Sequence, residues 1–468
     1  MDLDLLVIGS GPSGQKAAIQ AAKLGKRVAV VERRQRLGGV SIHTGTIPSK
    51  TLRVAVLDEL ARRPLDVPDP LNPEGKERQA IEFLMDRTAR VVGAEAQVVR
   101  EQFRRNRVGL LFGEAAFVDE HTICIHDDDD GVKEVTADNI VIATGTSPAR
   151  PKDVEFDDQT IIDSDGLLHI QQRLPRSMTV VGAGVIGVEY ASMFGRLGTK
   201  VTVVDQRPRV LTFLDGEIGE ALQFILRRNN VTFRLNEAVK SVAITDKGTV
   251  THLASGKAVV SETVLYATGR QGDTASLALE KVGIEADKRG RISVDDEYRT
   301  SVPHIFGVGD CTGGFGLAAT AMEQGRLAAL HAFGRPVSTM PELLPTGVYA
   351  IPEIAMVGRT EEDLTESGVP YVVGIARWAE LARGLMTGDE DGMLKLLVST
   401  DDRQLLGVHV LGTGAADLVH IGQAVMGGGE GVDFLVRAVF NYPTFAEAYK
   451  VAALDAANKL RAVGSPVI

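Results

Sequence analysis

A strand, a glycine-rich turn, a helix, a second strand and an acidic residue follow one another at the start of the chain. The apolar run Leu3–Ile8 leads into Gly9, Gly11 and Gly14, and the next apolar run ends in Glu32. The first glycine allows a tight turn, the second lets the backbone approach a pyrophosphate, and the third lets helix and strand pack closely. The helix N-terminus offers N–H groups to phosphate, and Glu32 can accept hydrogen bonds from ribose hydroxyls. This order of elements predicts a dinucleotide-binding unit.

The same order returns in the middle of the chain. Gly182, Gly184 and Gly187 follow the apolar run Ser177–Val181, and the next strand ends in Asp205. In both copies the acidic residue lies 23 positions after the first glycine. The matched spacing favours two dinucleotide-binding units over two unrelated glycine-rich turns.

Each copy closes with an apolar strand that breaks at glycine. The first copy closes at Ala143, Thr144 and Gly145, and the second closes at Gly269. From first to closing glycine, the first copy is 49 residues longer. We assign this extra length to the polar, helix-forming residues 38–105.

Two polar segments of the first copy are predicted to be loops. Residues 64–74 contain several prolines and are expected to form a loop. Four aspartates at 127–130, followed by glycine, predict a solvent-exposed hairpin turn rather than a metal site, because adjacent side chains point in different directions.

A third nucleotide-related segment follows the second copy. The apolar residues 305–308 precede Asp310, whose carboxylate could meet a ribityl hydroxyl or a water on the phosphate side. A predicted helix then begins at Leu317 and Ala318 and could offer its N-terminus to phosphate. After about residue 345, alternating strands and amphipathic helices predict a separate C-terminal domain.

Composition excludes several classes of protein. The net charge of −11 argues against a nucleic acid or an anionic membrane as partner. Cys124 and Cys311 are the only cysteines and form no Cys-x-x-Cys pair, which excludes a disulfide scaffold and a cysteine-based metal site. No basic segment precedes the first apolar run, and no apolar run approaches the roughly 20 residues that span a bilayer. We therefore expect a cytoplasmic protein without a metal site.

Taken together, the two nucleotide units, the Gly-Asp strand and the C-terminal domain resemble the class I pyridine nucleotide–disulfide oxidoreductases over essentially the whole chain. The resemblance implies an α/β fold with two Rossmann-like FAD/NAD(P)-binding domains and a C-terminal α+β dimerisation domain. The expected boundaries are 1–150 and 275–345 for the two parts of the FAD domain, 151–274 for the NAD(P) domain and 346–468 for the dimerisation domain. The resemblance also implies that the protein binds FAD as cofactor, uses NAD(H) and NADP(H) as substrates, and forms a homodimer.

The redox motif of that family is changed in this chain. The family pattern Gly-Gly-x-Cys-x-x-x-x-Cys-x-Pro-Ser-Lys is matched by residues 38–50, but Ser41 and Thr46 stand at the two cysteine positions. Tyr442 likewise replaces the histidine of the pattern His-Pro-Thr-x-x-Glu, whereas Glu447 remains. Without two thiols, electrons cannot pass from flavin to a disulfide substrate.

One branch of the family also lacks the complete pair of cysteines. Residues 45–53, 419–424 and 440–449 are similar to the soluble, Si-specific pyridine nucleotide transhydrogenases, although members of that branch commonly keep the first cysteine. The resemblance implies reversible hydride transfer between NADPH and NAD⁺ through the flavin. Lys50 and Glu189 are expected to pair beside the flavin N5, with Thr46 facing the ring as a spacer. Tyr442 and Glu447 are further catalytic candidates.

The repeat and the resemblance together identify the candidate cofactor-binding residues. They are Gly9, Gly11, Gly14, Glu32, Gly39, Ser41, Thr46, Lys50, Ala143, Thr144, Gly145, Gly182, Gly184, Gly187, Asp205, Arg207, Arg209, Gly269, Asp310, Leu317 and Ala318. Asp205 suits the ribose hydroxyls of NAD(H), and Arg207 or Arg209 could pair with the 2′-phosphate of NADP(H). The alternative is that both arginines are solvated surface residues.

Two other functions remain open at this point. A flavin NAD(P)H dehydrogenase that reduces a quinone could use the same scaffold without cysteines. A non-catalytic nucleotide-binding sensor is the second alternative, although both glycine motifs and Lys50 argue against it. A disulfide reductase is disfavoured because it needs the missing thiols.

Overall fold

The computed structural model describes residues 1–62, 73–127, 131–169, 174–246, 248–314, 316–337 and 339–462. Three large sheets follow one another along the chain. The α-helices are α1 (Pro12–Lys23), α2 (Gly39–His43), α3 (Thr46–Arg62), α4 (Pro73–Arg105), α5 (Val185–Arg196), α6 (Gly216–Arg228), α7 (Ala318–Ala332), α8 (Glu361–Glu366), α9 (Ala382–Thr387), α10 (Ala415–Gly427), α11 (Val432–Arg437) and α12 (Glu447–Ala462).

The strands of the first two units are β1 (Leu3–Ile8), β2 (Val28–Glu32), β3 (Gly109–Phe112), β4 (Glu114–Phe117), β5 (Thr122–His126), β6 (Val132–Ile142), β7 (Thr146–Pro148), β8 (Ile161–Asp163), β9 (Ser177–Val181), β10 (Lys200–Asp205), β11 (Val231–Leu235), β12 (Val239–Thr245), β13 (Gly248–Leu253), β14 (Ala258–Ser261), β15 (Thr263–Tyr266), β16 (Arg270–Gly272) and β17 (Ile305–Gly307). Those of the C-terminal unit are β18 (Thr346–Val348), β19 (Ile354–Gly358), β20 (Tyr371–Arg377), β21 (Met393–Ser399) and β22 (Leu405–Leu411). Short 3₁₀ helices cover Gly166–His169, Ala275–Leu277, Leu279–Val282, Gly309–Thr312 and Trp378–Glu380.

The first unit is built on a parallel sheet with strand order β3-β2-β1-β6-β17, to which β5 and β4 add an antiparallel extension beside β6. One face packs on α1, α4 and α7, and the other packs on β4, β5 and the segment after β16. Because both faces are covered, the central strands are continuous apolar runs rather than alternating ones. That is why β1 and β2 could be recognised in the sequence.

The second unit repeats this order in the parallel sheet β11-β10-β9-β15-β8, and the antiparallel strands β12-β13-β14 accompany it. The order β11-β10-β9-β15 in the second sheet thus corresponds, strand by strand, to β3-β2-β1-β6 in the first. The first glycines match as well: Gly9 N donates to Val31 O, and Gly182 N donates to Val204 O, each at 2.8 Å. Internal repetition in the sequence is therefore repetition of structure.

The first glycine of each turn lies where no side chain fits. Gly9 and Gly182 have φ angles of 108° and 111°. A Cβ atom would lie 2.4 Å from Ala143 O at Gly9, and 2.4 Å from Ala267 O at Gly182. Each closing strand thus passes directly against its glycine turn, and this close approach requires glycine.

The extra length of the first copy lies where the sequence placed it. Helices α2, α3 and α4 stand between β2 and β3, whereas only α6 lies between β10 and β11. The loop predicted over residues 64–74 falls mostly on residues 63–72, which are outside the described residues, and α4 already begins at Pro73. The aspartates 128–130 are outside them too, but β5 and β6 pair antiparallel on either side, which confirms the hairpin.

The C-terminal unit is an antiparallel sheet of order β18-β19-β22-β21-β20, packed against α10 and α12. Trp378 is fully buried in its core and stacks on Phe445, with ring centroids 5.1 Å apart. The whole architecture has the predicted fold class. Within the part of the chain that the structure describes, no helix is both long and apolar enough to span a membrane.

Candidate active site

A large cavity opens at the carboxyl ends of the first parallel sheet, where ligands bind in open α/β folds. It brings together most of the residues predicted for the first unit. Those lining it are Gly9, Gly11, Glu32, Gly39, Ser41, Thr46, Ala143, Thr144, Gly145, Asp310 and Ala318. Gly14 lies beneath the turn, and Leu317 precedes the first residue of α7.

The acidic residue of the first unit is held rigidly. Glu32 Oε2 accepts hydrogen bonds from Ser10 N at 3.1 Å and Ser10 Oγ at 2.5 Å, and Oε1 accepts one from Arg34 N at 3.1 Å. Ser10 Oγ in turn accepts from Gly38 N at 2.8 Å. Helix α1 and the start of α2 are therefore tied to one carboxylate at the end of β2.

Both the shape and the chemistry of the cavity fit a dinucleotide. A Cβ atom at Gly11 would point into open space, whereas one at Gly39 would lie 2.8 Å from Gly11 Cα. The cavity is therefore lined here by backbone without side chains, which a pyrophosphate can approach closely. The Asp310 carboxylate accepts no hydrogen bond within the described part of the chain, and burial raises its pKa despite the nearby Arg270 and Arg291. A desolvated acceptor of this kind suits the hydroxyl donors of a ribityl chain. These residues fit FAD.

No thiol is present in the described lining of the cavity. Ser41, on α2, and Thr46, the first residue of α3, both line it. Cys311 is buried below the sheet, where its Sγ lies 3.3 Å from Val308 O. Cys124 is on β5, with its Sγ 3.4 Å from His126 Nε2.

Lys50 and Glu189 form an ion pair between the first and second units. Lys50 Nζ, on α3, donates to both carboxylate oxygens of Glu189, on α5, at 2.8 and 2.7 Å. The Glu189 side chain is 3% exposed, so its charge is compensated almost entirely by protein. The pairing that the resemblance implied is therefore observed, whereas the roles of the two residues in hydride transfer stay predictions.

In the second unit, the acidic residue is covered by an arginine. Asp205 accepts hydrogen bonds from Ala183 N at 2.6 Å and Arg207 N at 2.8 Å, and the Arg207 guanidinium binds its carboxylate in a fork at 2.9 and 2.6 Å. Burial alone would raise the pKa of Asp205, but these hydrogen bonds and the Arg207 charge hold it below its usual value. Arg207 lies beside Gly184, 3.9 Å from where its Cβ would be. The guanidinium thus lies over the glycine turn.

Arg209 is directed elsewhere. Its guanidinium binds Glu362, on α8 of the C-terminal unit, at 2.8 Å. The structure therefore does not bring Arg209 to the carboxylate of Asp205 as it does Arg207.

Comparison with known proteins agrees with this geometry. The family model "Pyridine nucleotide-disulphide oxidoreductase" matches residues 3–325, and that of its dimerisation domain matches residues 344–453. The chain belongs to the pyridine nucleotide-disulphide oxidoreductase family.

Several members of the family are similar over nearly the whole chain. A protein named soluble pyridine nucleotide transhydrogenase from Mycobacterium tuberculosis is 57% identical over 470 residues, covering 99% of this chain and 98% of that protein. A protein of the same name from Shigella flexneri is 42% identical, with 98% and 99% covered.

Solved structures show the same fold. LpdA from Mycobacterium tuberculosis superposes with a TM-score of 0.87 at 26% identity, covering 96% of this chain and 99% of that one. The HOCl-induced flavoprotein disulfide reductase RclA from Escherichia coli gives 0.86 at 28% identity, with 96% and 99% covered. The resemblance to the family that the motifs suggested is confirmed.

The C-terminal candidates of the family pattern lie away from the cavity of their own chain. Tyr442 is 65% exposed. Glu447 begins α12, and its Oε2 is buried with no hydrogen-bond partner in the described residues. Neither residue lines the described part of the cavity.

Sequence reasoning missed several residues that complete the site. Arg33 and Asp273 both line the cavity and form an ion pair at 2.7 Å. Arg270, directly after Gly269, donates to the hydroxyl and the carbonyl oxygen of Thr146, each at 2.9 Å. Arg270 could have been found from its position directly after a closing glycine. Arg33 and its partner Asp273 are 240 residues apart, and no pattern in the sequence links them.

Proposed function

We propose that this protein is an FAD-dependent NAD(P)⁺ transhydrogenase, which transfers hydride reversibly between NADPH and NAD⁺. The observation that carries this proposal is the absence of thiols from the described lining of the cavity, together with an intact Lys50–Glu189 pair. Neither member of the pair lines the described cavity, but Lys50 follows the lining residue Thr46 on the same helix, α3. A disulfide reductase needs a dithiol to receive electrons, and Ser41 and Thr46 cannot form one. Relatives with the name soluble pyridine nucleotide transhydrogenase support the same activity.

FAD, when bound, would supply the hydride-accepting and hydride-donating chemistry. Lys50 places a positive charge beside the expected position of the flavin ring, which favours negative charge on it. Glu189 fixes the ammonium in position, and Thr46 acts as a spacer. Because no thiol drains the electrons, they are available to a second nicotinamide.

We propose that one nucleotide unit binds FAD and that the other binds the nicotinamide nucleotides. Residues 1–150 and 275–345 would hold FAD, with Glu32 toward the adenosine ribose and Asp310 toward the ribityl chain. Residues 151–274 would hold NAD(H) and NADP(H) in turn at Asp205 and Arg207. Residues 346–468 would form the contact of a homodimer, as the name of the matching dimerisation domain suggests. We also place the protein in the cytoplasm, in line with relatives that are named soluble.

A transhydrogenase assay tests the proposal. FAD-loaded protein is given NADPH with thio-NAD⁺, with a quinone, or with a disulfide such as oxidised lipoamide. We expect thio-NADH to form and the disulfide to be inert. Faster reduction of the quinone than of thio-NAD⁺ would favour a dehydrogenase, and purified protein that binds no FAD would favour a sensor. NADPH deuterated in either configuration at C4 tests the proposed Si-specificity.

A further inference from the structure

Three units of the molecule meet at Tyr349, directly after β18. Its backbone N–H donates to Glu189 Oε1 at 2.9 Å, so it shares that carboxylate with Lys50. The Lys50 ammonium lies over the Tyr349 ring, 5.0 Å from its centroid. One residue of the C-terminal unit thus contacts both members of the ion pair that joins the other two units.

We propose that Tyr349 is a positioning residue for the Lys50 ammonium, with its ring covering the charge and its backbone N–H fixing the Glu189 carboxylate. This inference rests on the proposed function, because it concerns the charge that Lys50 presents to a bound flavin. Neither the glycine motifs nor the changed redox motif point to Tyr349.

The chain around Tyr349 is anchored on both sides. Ile351 N donates to Ser192 Oγ at 3.0 Å, and this hydroxyl donates to Glu189 O at 2.6 Å, which ties the segment to α5. Arg53 Nε donates to Ala350 O at 2.9 Å, which ties it to α3. The ring is therefore held against the ion pair by contacts with the same two helices that carry Lys50 and Glu189.

The aromatic face, rather than the hydroxyl, is what acts on Lys50. The face of an aromatic ring attracts a cation through its quadrupole. The Tyr349 hydroxyl makes no hydrogen bond to any residue that the structure describes. Burial and the carboxylates of Glu353, Asp417 and Glu189 raise the pKa of Tyr349, so the ring stays neutral at physiological pH.

Covering the ammonium has a consequence for the flavin. A charge that is partly shielded from water acts on its surroundings through a lower effective dielectric constant than a hydrated one. The Lys50 side chain is only 26% exposed. Removing the ring would admit water, screen the charge and weaken its stabilisation of the reduced flavin.

The test replaces the ring while leaving Lys50 and Glu189 in place. In the FAD-loaded protein, Tyr349→Leu should lower the midpoint potential of the bound flavin and slow its reduction by NADPH about fivefold, the factor for a cation–π contact of about 1 kcal/mol. Lysine-acetylating reagent, followed by mass spectrometry, should label Lys50 faster in Tyr349→Leu than in the wild type. Tyr349→Phe retains the ring and should restore the wild-type potential.

Two controls keep the result decisive. Lys26 Nζ lies 4.7 Å from the centroid of the Phe333 ring. This contact involves neither Lys50 nor Glu189, so Phe333→Leu removes a similar cation–π pair and should leave the potential unchanged. Pentafluorophenylalanine at position 349 preserves the shape of the ring but reverses its quadrupole, and should act like leucine even if Tyr349→Leu does not fold. In a Lys50→Met background, loss of the ring should have no further effect on the potential.

Three outcomes would overturn the proposal. The first is an unchanged potential when fluorinated phenylalanine replaces Tyr349, and the second is a loss in Tyr349→Phe as large as in Tyr349→Leu. The third is an undiminished effect of the ring in the Lys50→Met background. Failure of the proposed function would look different, because the wild-type protein itself would then form no thio-NADH from NADPH.

Discussion

Arg207 binds the carboxylate of Asp205, which we propose to face the ribose of the nicotinamide nucleotide. An uncovered acid at this position repels a 2′-phosphate, whereas an acid in a fork with arginine presents a guanidinium that can turn toward phosphate. Asp205 also accepts a hydrogen bond from Ala183 N, which does not depend on the Arg207 guanidinium and holds the carboxylate at the end of β10. One pair of residues could therefore serve both nucleotides.

Alanine substitutions should separate the two arginines of this loop. Arg207→Ala should lower kcat/KM for NADPH about tenfold, the effect of one charge-assisted hydrogen bond, and change that for NADH much less. Arg209→Ala should cost less with NADPH than Arg207→Ala, because Arg209 is bound to Glu362. Steady-state kinetics with each nucleotide measure both ratios.

A matched control exists for Arg209. Arg228 also joins the second unit to the C-terminal unit, through Asp391 at 2.9 Å. Arg228→Ala should not alter the ratio of the two nucleotides. The assignment would be wrong if Arg209→Ala reduced the use of NADPH more than Arg207→Ala did.

At the scale of elements, the third glycine of each turn sets how closely a helix lies on its strand. A Cβ atom at Gly14 would be 2.0 Å from Gly9 O, and one at Gly187 would be 1.9 Å from Gly182 O. Helices α1 and α5 therefore begin in direct backbone contact with their turns. Any side chain here would push the N-terminus of the helix away from the phosphates that it is expected to bind.

Substitution of these glycines should distinguish the two nucleotide units. Gly14→Ala should weaken FAD binding by about 5- to 150-fold, since inserting a methyl group into packed backbone costs about 1–3 kcal/mol. Gly187→Ala should leave the protein yellow but weaken the binding of NADPH by a similar factor. Flavin absorbance and titration with NADPH measure the two effects separately.

Gly93 provides the control for these variants. It lies inside α4 with no atom within 4 Å of an added Cβ. Gly93→Ala should leave both cofactors bound and raise stability by about 0.5–1 kcal/mol, because alanine favours a helix over glycine. Equal loss of FAD in Gly14→Ala and Gly187→Ala would contradict the division of the cofactors between the units.

At the scale of the whole molecule, a buried lysine joins the second unit to the C-terminal unit. Lys395, on β21, is fully buried and donates to Asp215 Oδ1 at 2.8 Å, to Glu217 at 3.0 Å and to Glu361. Asp215 precedes the first residue of α6 and is fully buried as well. Burial alone would raise the pKa of Asp215, but the bonded Lys395 ammonium holds it below its usual value.

Loss of Lys395 should destabilise the protein strongly. Lys395→Ala leaves the buried Asp215 charge uncompensated, which typically costs about 3–5 kcal/mol. Lys459→Ala is the control, because Lys459 binds Asp455 at the same distance of 2.8 Å but on the surface, where a pair contributes less than about 1 kcal/mol. Urea unfolding of both variants measures the difference, and similar losses would refute the importance of burial.

The same junction predicts how stability depends on pH. Burial lowers the pKa of His409, on β22, below its ordinary value of 6.5, so the folded protein resists a proton that the unfolded chain accepts. The free energy of unfolding should therefore decrease as the pH falls below about 6.5, and decrease further below about 4 as Asp215 is protonated in the unfolded chain. Thermal unfolding of His409→Gln should show no decrease in the free energy of unfolding just below pH 6.5, but should still show the decrease below about pH 4. A wild-type free energy of unfolding that stays constant from pH 7 to 5 would contradict the prediction.

Much of the fold was predictable because its signals are local. The central strands are continuous apolar runs, and the glycine spacing reports a turn in which helix and strand touch. The extra helices between β2 and β3 followed from the unequal lengths of the two copies. Less of the site was predictable, since Arg207 and Arg209 look equivalent in the sequence and only their partners differ.

What the sequence determined by itself was the scaffold and the loss of thiols. Repeated motifs with matched spacing can specify a nucleotide unit, and Ser41 and Thr46 exclude a disulfide whatever the structure around them. Only the tertiary structure decided that the Tyr349 ring lies over Lys50, that Arg209 binds Glu362, and that Lys395 is buried beside Asp215. These contacts join residues more than 150 positions apart on different units, and their energies depend on distance and burial, which folding alone establishes.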